Sequence, residues 1–157
     1  MNKVRTLVLI SLLVLFGLPA SAIADGYASV SGGVAVSPST VTIGQDFSIS
    51  FTLKEVRGAA KIFDNVAVAI LRSDNSKVFD FAMYSSVSIG ANDTWNRTAT
   101  NYLFATQPPG SYKVVIRGQY QGQWFDFDTT GSGVNPKTFT AVIVSSVPVA
   151  TPPNGNF

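Results

Sequence analysis

Beyond the first two dozen residues, apolar and polar side chains alternate with a period of two, and no segment repeats at helical spacing. Phe47, Ile49, Phe51 and Leu53 alternate with Ser48, Ser50, Thr52 and Lys54, which predicts a strand with one buried and one wet face. The run 66–71 is apolar on both faces and predicts a central strand covered on both sides; its outer face is mostly alanine, so its cover must lie close. A short edge strand is expected over 34–38, ending at a proline. Strands resume at Val78, Phe79 and Phe81, again at Val87 and Ile89, and over 94–104, a polar, Thr-rich segment suited to an edge. A last strand over 138–144 places Phe139, Ala141 and Ile143 on its inner side. Turn residues cluster at 72–77, 90–93 and 107–110, and a Gly/Ser loop covers 129–136. The spacing predicts an all-β sandwich of seven to nine antiparallel strands.

The segment 109–128 fixes its own register. A two-residue turn at Gln121-Gly122 uses the positive φ that glycine tolerates. Tyr120 then faces Gln123, Gln119 faces Trp124, Gly118 faces Phe125, Arg117 faces Asp126, and Ile116 faces Phe127. Directly opposed residues share a face, so Ile116, Phe125 and Phe127 point one way and Arg117, Trp124 and Asp126 the other. A slip of one residue would mix the two sets.

Residues 1–24 read as a cleaved signal peptide: Lys3 and Arg5, an apolar run over 7–16, then small residues around Ala22 and Ala24. The run is short for a membrane span of about 20 residues, and no cysteine follows it for a lipid anchor. The expected product is secreted, periplasmic or on the cell surface, with no stable membrane insertion after cleavage. The formal charge of +2 is carried by the leader, because eleven basic side chains less Lys3 and Arg5 leave nine against nine acidic. No basic cluster remains to neutralise phosphates, so nucleic-acid binding is not expected. Residues 25–146, roughly the size of one domain, form the sandwich, and the Pro-rich 147–157 forms a tail or linker. Phe157 resembles the terminal aromatic of outer-membrane barrels, but the preceding Pro-Pro-Asn-Gly-Asn cannot be a barrel strand. The chain holds neither cysteine nor histidine, which removes disulfides, the commonest general base and the commonest zinc ligand. The expectation is therefore a non-enzyme without metal or other cofactor.

Several pieces, in order, resemble bacterial immunoglobulin-like sandwich domains of the kind appended to secreted hydrolases and cell-surface proteins. Gly44-Gln-Asp-Phe-Ser-Ile-Ser-Phe-Thr-Leu53 is similar to their second strand, and Ser88-Ile-Gly-Ala-Asn92 stands at a turn that usually carries a proline, absent here. Pro109-Gly-Ser-Tyr112 is similar to their entry into the penultimate strand, and Gln121-Gly-Gln-Trp124 to their hairpin tip. The resemblance covers about 34–144. It implies an immunoglobulin-like sandwich, a Tyr112 hydroxyl bonded to backbone across the corner, and an accessory role.

Trp124 leads the candidate binding residues. Its face points away from the core, where an indole can stack on a sugar or anchor a partner; the competing reading is packing over Gln119 and a neighbouring strand. Tyr120 accompanies it at the tip, and Trp95 would make a second platform member if it shared Trp124's face. Arg117 and Asp126 read as a structural ion pair. Asp126 and Asp128 fall near the carboxylate separation of inverting glycosidases, but nothing raises either pKa; a calcium site there lacks the dense Asp/Asn/Gly spacing of a dedicated loop. Asn92-Asp-Thr94 and Asn96-Arg-Thr98 match the glycosylation sequon, a chance match in a bacterial protein. The leading functional expectation is a monomeric binding or accessory module for cell-wall polysaccharide or a surface protein. The alternatives are a structural surface or filament component and a secreted proteinase inhibitor-like protein.

Overall fold

The computed structural model describes residues 26–130 and 134–144. The segment 1–24 read as a signal peptide, the expected tail over 147–157 with Phe157, and the centre of the Gly/Ser loop lie outside the described residues. Eleven strands and no helix occupy that range: β1 (Ala28–Ser31), β2 (Ala35–Ser37), β3 (Thr40–Thr42), β4 (Asp46–Glu55), β5 (Lys61–Arg72), β6 (Lys77–Ile89), β7 (Thr94–Tyr102), β8 (Gly110–Tyr120), β9 (Gln123–Asp126), β10 (Thr129–Thr130) and β11 (Lys137–Val142). One sheet runs β10–β1–β4–β7, with β2 continuing the β1 edge of β4. The other runs β3–β11–β8–β5–β6, with β9 beside β8. β8 between β5 and β11, and β4 beside β7, reproduce the strand order of an immunoglobulin-like sandwich.

Alternation decides which side chains fill the space between the sheets. Phe47, Ile49, Phe51 and Leu53 of β4 are buried, while Ser48, Ser50 and Thr52 face outward and bond across to Thr100, Thr98 and Asn96 of β7. On β5 the core residues are Phe63, Val66, Val68 and Ile70, so the parity changes between Phe63 and Val66. The facing strand changes with it, between Tyr84 and Val87, where Ser86 takes a φ of 54°. A bulge at Phe81 then inserts an extra ring into the core, 4.7 Å from that of Phe47.

The hairpin register is as the residue chemistry dictates: Tyr120 faces Gln123, Gln119 faces Trp124, Gly118 faces Phe125 and Arg117 faces Asp126. Gln121 and Gly122 both have positive φ, 50° and 77°, the form of two-residue turn that matches strand twist. Phe63, Phe125 and Phe127 meet over Gly118, with Phe127 edge-on to both neighbours at 5.3 and 5.0 Å. A Cβ on residue 118 would fall on Cζ of Phe125 and lie 2.8 Å from Cζ of Phe127. Glycine is therefore the hole into which the rings fit. At the other end of β8 the Tyr112 hydroxyl donates to the Pro108 carbonyl at 2.5 Å, the corner bond that the resemblance implies.

The edge of β8 is shared. β11 pairs with its first half and β9 with its second. Between them the chain crosses to the other sheet as β10, which pairs with β1. The backbone of Ile116 sits in the gap, and the Asn135 carboxamide fills it. Asn135 Oδ1 accepts from Ile116 N–H at 2.9 Å, and Nδ2 donates to the carbonyls of Ile116 and Phe127 at 3.1 and 2.7 Å. A side chain here does the work of a ladder residue.

Glu55 closes the opposite end. It has the inward parity of β4 and is 1% exposed. Its carboxylate accepts backbone N–H bonds from Arg57, Gly58 and Asn92 at 2.6, 2.8 and 2.8 Å, joining the β4–β5 loop to the β6–β7 turn. The Asn92 bond, with those from Arg57, Gly58 and Ala59, holds its pKa below the ordinary value, against the opposing effect of burial.

Four expectations need correction. The strands number eleven, because β1, β3 and β10 are too short to announce themselves, while the two strands expected over 78–89 form one. They are not all antiparallel: β1 with β10 and β3 with β11 run parallel. The β3–β11 pairing arises because the chain leaves β2 at Pro38 and changes sheets, reaching the edge of β11 in the same direction. Finally, Ile143 lies past the end of β11 and is 62% exposed rather than inward.

Three outcomes follow from this packing. Gly118→Ala should destabilise the fold by about 1–3 kcal/mol in urea unfolding through overpacking. Asn135→Ala should cost about 1–3 kcal/mol, because it strips partners from buried backbone groups. Glu55 contributes stability fully above the ordinary glutamate value of 4.5 and loses it as pH falls through its lower folded value. Thermal melts should therefore show wild-type stability falling in acid more steeply than that of Glu55→Gln; parallel curves would exclude Glu55 as the cause.

Candidate functional site

The outer face of the β5–β6–β8–β9 region carries Trp124, the leading candidate, together with Arg117 and Asp126. Ala67 and Ala69 alternate with the core residues of β5 and so face outward, yet they are 1% and 0% exposed, as is Val115 at 1%. Register explains the cover: Ala67 lies between Met83 and Arg117, and Ala69 between Asp80 and Val115. The alanines form a floor, and longer neighbours close over it.

Trp124 projects from β9 onto this face and is 41% exposed. With Arg117, Asp80 and Lys77 it lines a recess of about 170 Å³. Two ion pairs frame the recess: Arg117 Nε to Asp126 Oδ1 at 2.6 Å and Lys77 Nζ to Asp80 Oδ2 at 2.7 Å. In the row behind Trp124, Ser85 donates to Asn65, and Asn65 to Gln119, at 2.7 and 2.6 Å. Gly122 N–H donates to Asp64 at 3.0 Å, tying the hairpin tip to β5. The indole thus stands on a braced hairpin, with fixed donors and acceptors of both signs around it.

The other predicted aromatics are elsewhere. Tyr120 shares the parity of Ile116 and Gly118, so it points to the opposite side of the hairpin from Trp124. Its ring lies 3.5 Å from Lys61 Nζ, which also sits 3.9 Å from the Tyr27 ring. Trp95 pairs with Leu53 on the inner side of β7. Its ring meets Phe51 and Tyr84 edge-on at 5.9 and 5.1 Å, with the Arg97 guanidinium 4.3 Å away. The structure brings no two of Trp124, Tyr120 and Trp95 into one platform. Arg117 and Asp126 form the expected pair.

Asp126 is engaged by Arg117, which leaves no free carboxylate couple with Asp128. Among the described residues no cluster of three His, Cys, Asp or Glu side chains could hold a metal. Of the two sequon asparagines, Asn92 donates its backbone N–H to Glu55 and Asn96 accepts from Thr52. Lys77 and Asp80 were not marked by the pattern, because the Phe81 bulge, invisible in the sequence, sets where their side chains emerge. No helix among the described residues is long and apolar enough to cross a membrane.

No protein-family model matches this chain, and no curated protein matches it. Solved structures do. A β-glucosidase from Erythrobacter marinus is similar at a TM-score of 0.50 and 12% identity, over 73% of this chain and 15% of that one. The CARDB domain of a Pyrococcus furiosus protein gives 0.47 and 17%, over 75% and 94%. The Pseudomonas fluorescens alkylpurine DNA glycosylase AlkC, bound to DNA containing an abasic site analog, gives 0.45 and 16%, over 68% and 31%. The chain thus spans less than a third of the glycosylase and less than a sixth of the glucosidase. At these identities the likeness is one of fold: a β-sandwich module.

The Arg117–Asp126 pair lies on the outer face with both side chains partly exposed. A double-mutant cycle on Arg117→Ala and Asp126→Ala in urea unfolding should give a coupling of about 0.2–1 kcal/mol, the value for exposed pairs. A larger coupling would make it a stability element.

Proposed function

We propose that this chain is an exported, non-catalytic binding module that holds cell-envelope or extracellular polysaccharide through the recess beside Trp124. One observation carries the reading: a half-exposed indole stands on a braced hairpin and lines one recess with Lys77, Asp80 and Arg117, members of two ion pairs. An indole face stacks on the C–H face of a sugar ring, and neighbouring charged groups bond its hydroxyls. The recess is smaller than the usual 300–1,000 Å³ of a small-molecule pocket, about right for one sugar unit of a longer chain. Both carboxylates lining or framing it are committed to cations, an arrangement for holding a ligand rather than for transferring protons. The leader-like segment over 1–24 supports export. Tyr120 and Trp95 have no part in this surface.

Trp124→Ala should reduce retention on isolated cell walls or insoluble polysaccharide about tenfold or more, while the melting temperature stays within a few degrees of wild type. Undiminished retention would overturn the reading. A collapsed fold would assign Trp124 to packing over the alanine floor.

A further inference from the structure

We infer that the opposite face of the sandwich carries a second binding groove, for a neutral, hydroxyl-rich saccharide segment. β1 and β2 pair with the same edge of β4 but in different registers: Val30 faces Leu53, and Ala35 faces Ser50. Four residues, 31–34, therefore stand against two, 51 and 52. Gly32 and Gly33 absorb the excess by looping out with φ of 74° and 83°, the left-handed region that side chains rarely adopt. Between this loop and the ladder of β4 with β7 lies a shallow, open groove of about 400 Å³.

Its chemistry is specific. The floor and far wall are Ser50, Thr52, Asn96 and Thr98. Ser50 and Thr98 bond at 2.8 Å, and Thr52 donates to Asn96 at 2.5 Å. These bonds fix the side chains and leave each hydroxyl further capacity to donate or accept. Among the described residues nothing lies within 4 Å of where a Gly32 side chain would begin. Arg97 borders the groove, but its guanidinium stacks on Trp95 at 4.3 Å and donates to the Asn96 carbonyl at 2.7 Å. Arg97 is the one charged side chain in the lining, and its guanidinium lies over Trp95 at the border; the remaining polar groups are neutral hydroxyls and an amide, which pair with the hydroxyls of a sugar. This groove does not depend on the Trp124 site, from which both sheets and the core separate it. Two sites on opposite faces would let one molecule hold two polymer strands.

Backbone amide NMR of the protein with cellohexaose, xylohexaose and chitohexaose, each at millimolar concentration, tests this. At least one should shift Gly32, Gly33, Thr52 and Asn96. The double variant Ser50→Ala/Thr98→Val should weaken that response about tenfold, from the loss of two hydrogen-bonding groups, without altering the Trp124 indole signal. Trp124→Ala should leave the groove response intact. Shifts near Trp124 alone would overturn the second site and keep the proposed function; shifts at the groove alone would do the reverse. Silence at the groove with all three, or a response only to polygalacturonate, would overturn the neutral-saccharide assignment.

Discussion

Everything in this sandwich depends on how the single free edge of β8 is satisfied. Two strands share that edge, and neither pairs with its middle, where the Ile116 carbonyl accepts from Phe127 N–H but the Ile116 N–H would be left without a partner. The Asn135 carboxamide supplies both a donor and an acceptor there and bonds Phe127 as well. Because the gap is filled, the chain is free to leave the sheet after β9, close the opposite sheet through β10, and return as β11. The excursion buries Phe127 across Gly118 and keeps β9 short, which leaves Trp124 on an outer face with no strand beyond it.

The hairpin was legible because its chemistry is redundant: a charged pair, an aromatic set and a glycine turn all demand one register. That register also placed Tyr120 on the inner side, with Gly118 and Ile116, a consequence that residue type alone obscures. Glu55 was within reach too, since it continues the inward parity of Phe47, Ile49, Phe51 and Leu53. A carboxylate on a core face announces bonds to backbone. Asn135 was not legible, because its partners are set by where two distant strands stop. Trp95 was undecided for a similar reason, since only pairing with Leu53 fixes its side of β7. The Phe81 bulge and the parity change at Ser86 are products of strand twist and packing that local pattern does not encode.

The two outer faces solve opposite problems. On β4 and β7, short hydroxyl side chains bond one another across the strands, so this face needs no long side chains to cover it. On β5 and β8, a central strand with apolar residues on both sides must be covered from outside without a third layer. Alanine reduces what has to be covered, and Arg117, Met83, Asp80 and Trp124 extend over it. The recess is thus a by-product of roofing a small-residue floor with long side chains, which is why charge and an aromatic ring occur together there.

The parallel pairing of β3 with β11 has a mechanical side. Thr40, Val41 and Thr42 lie opposite Thr140, Ala141 and Val142 and run in the same direction. Tension drawing the chain before Thr40 away from the chain after Val142 pulls these strands past one another along their length. All the bonds of the pair then bear load together, whereas an antiparallel hairpin pulled at its open end would unzip, its bonds breaking in succession. The sheet change at Pro38 thereby places the short seam where a pull along the chain meets the most resistance.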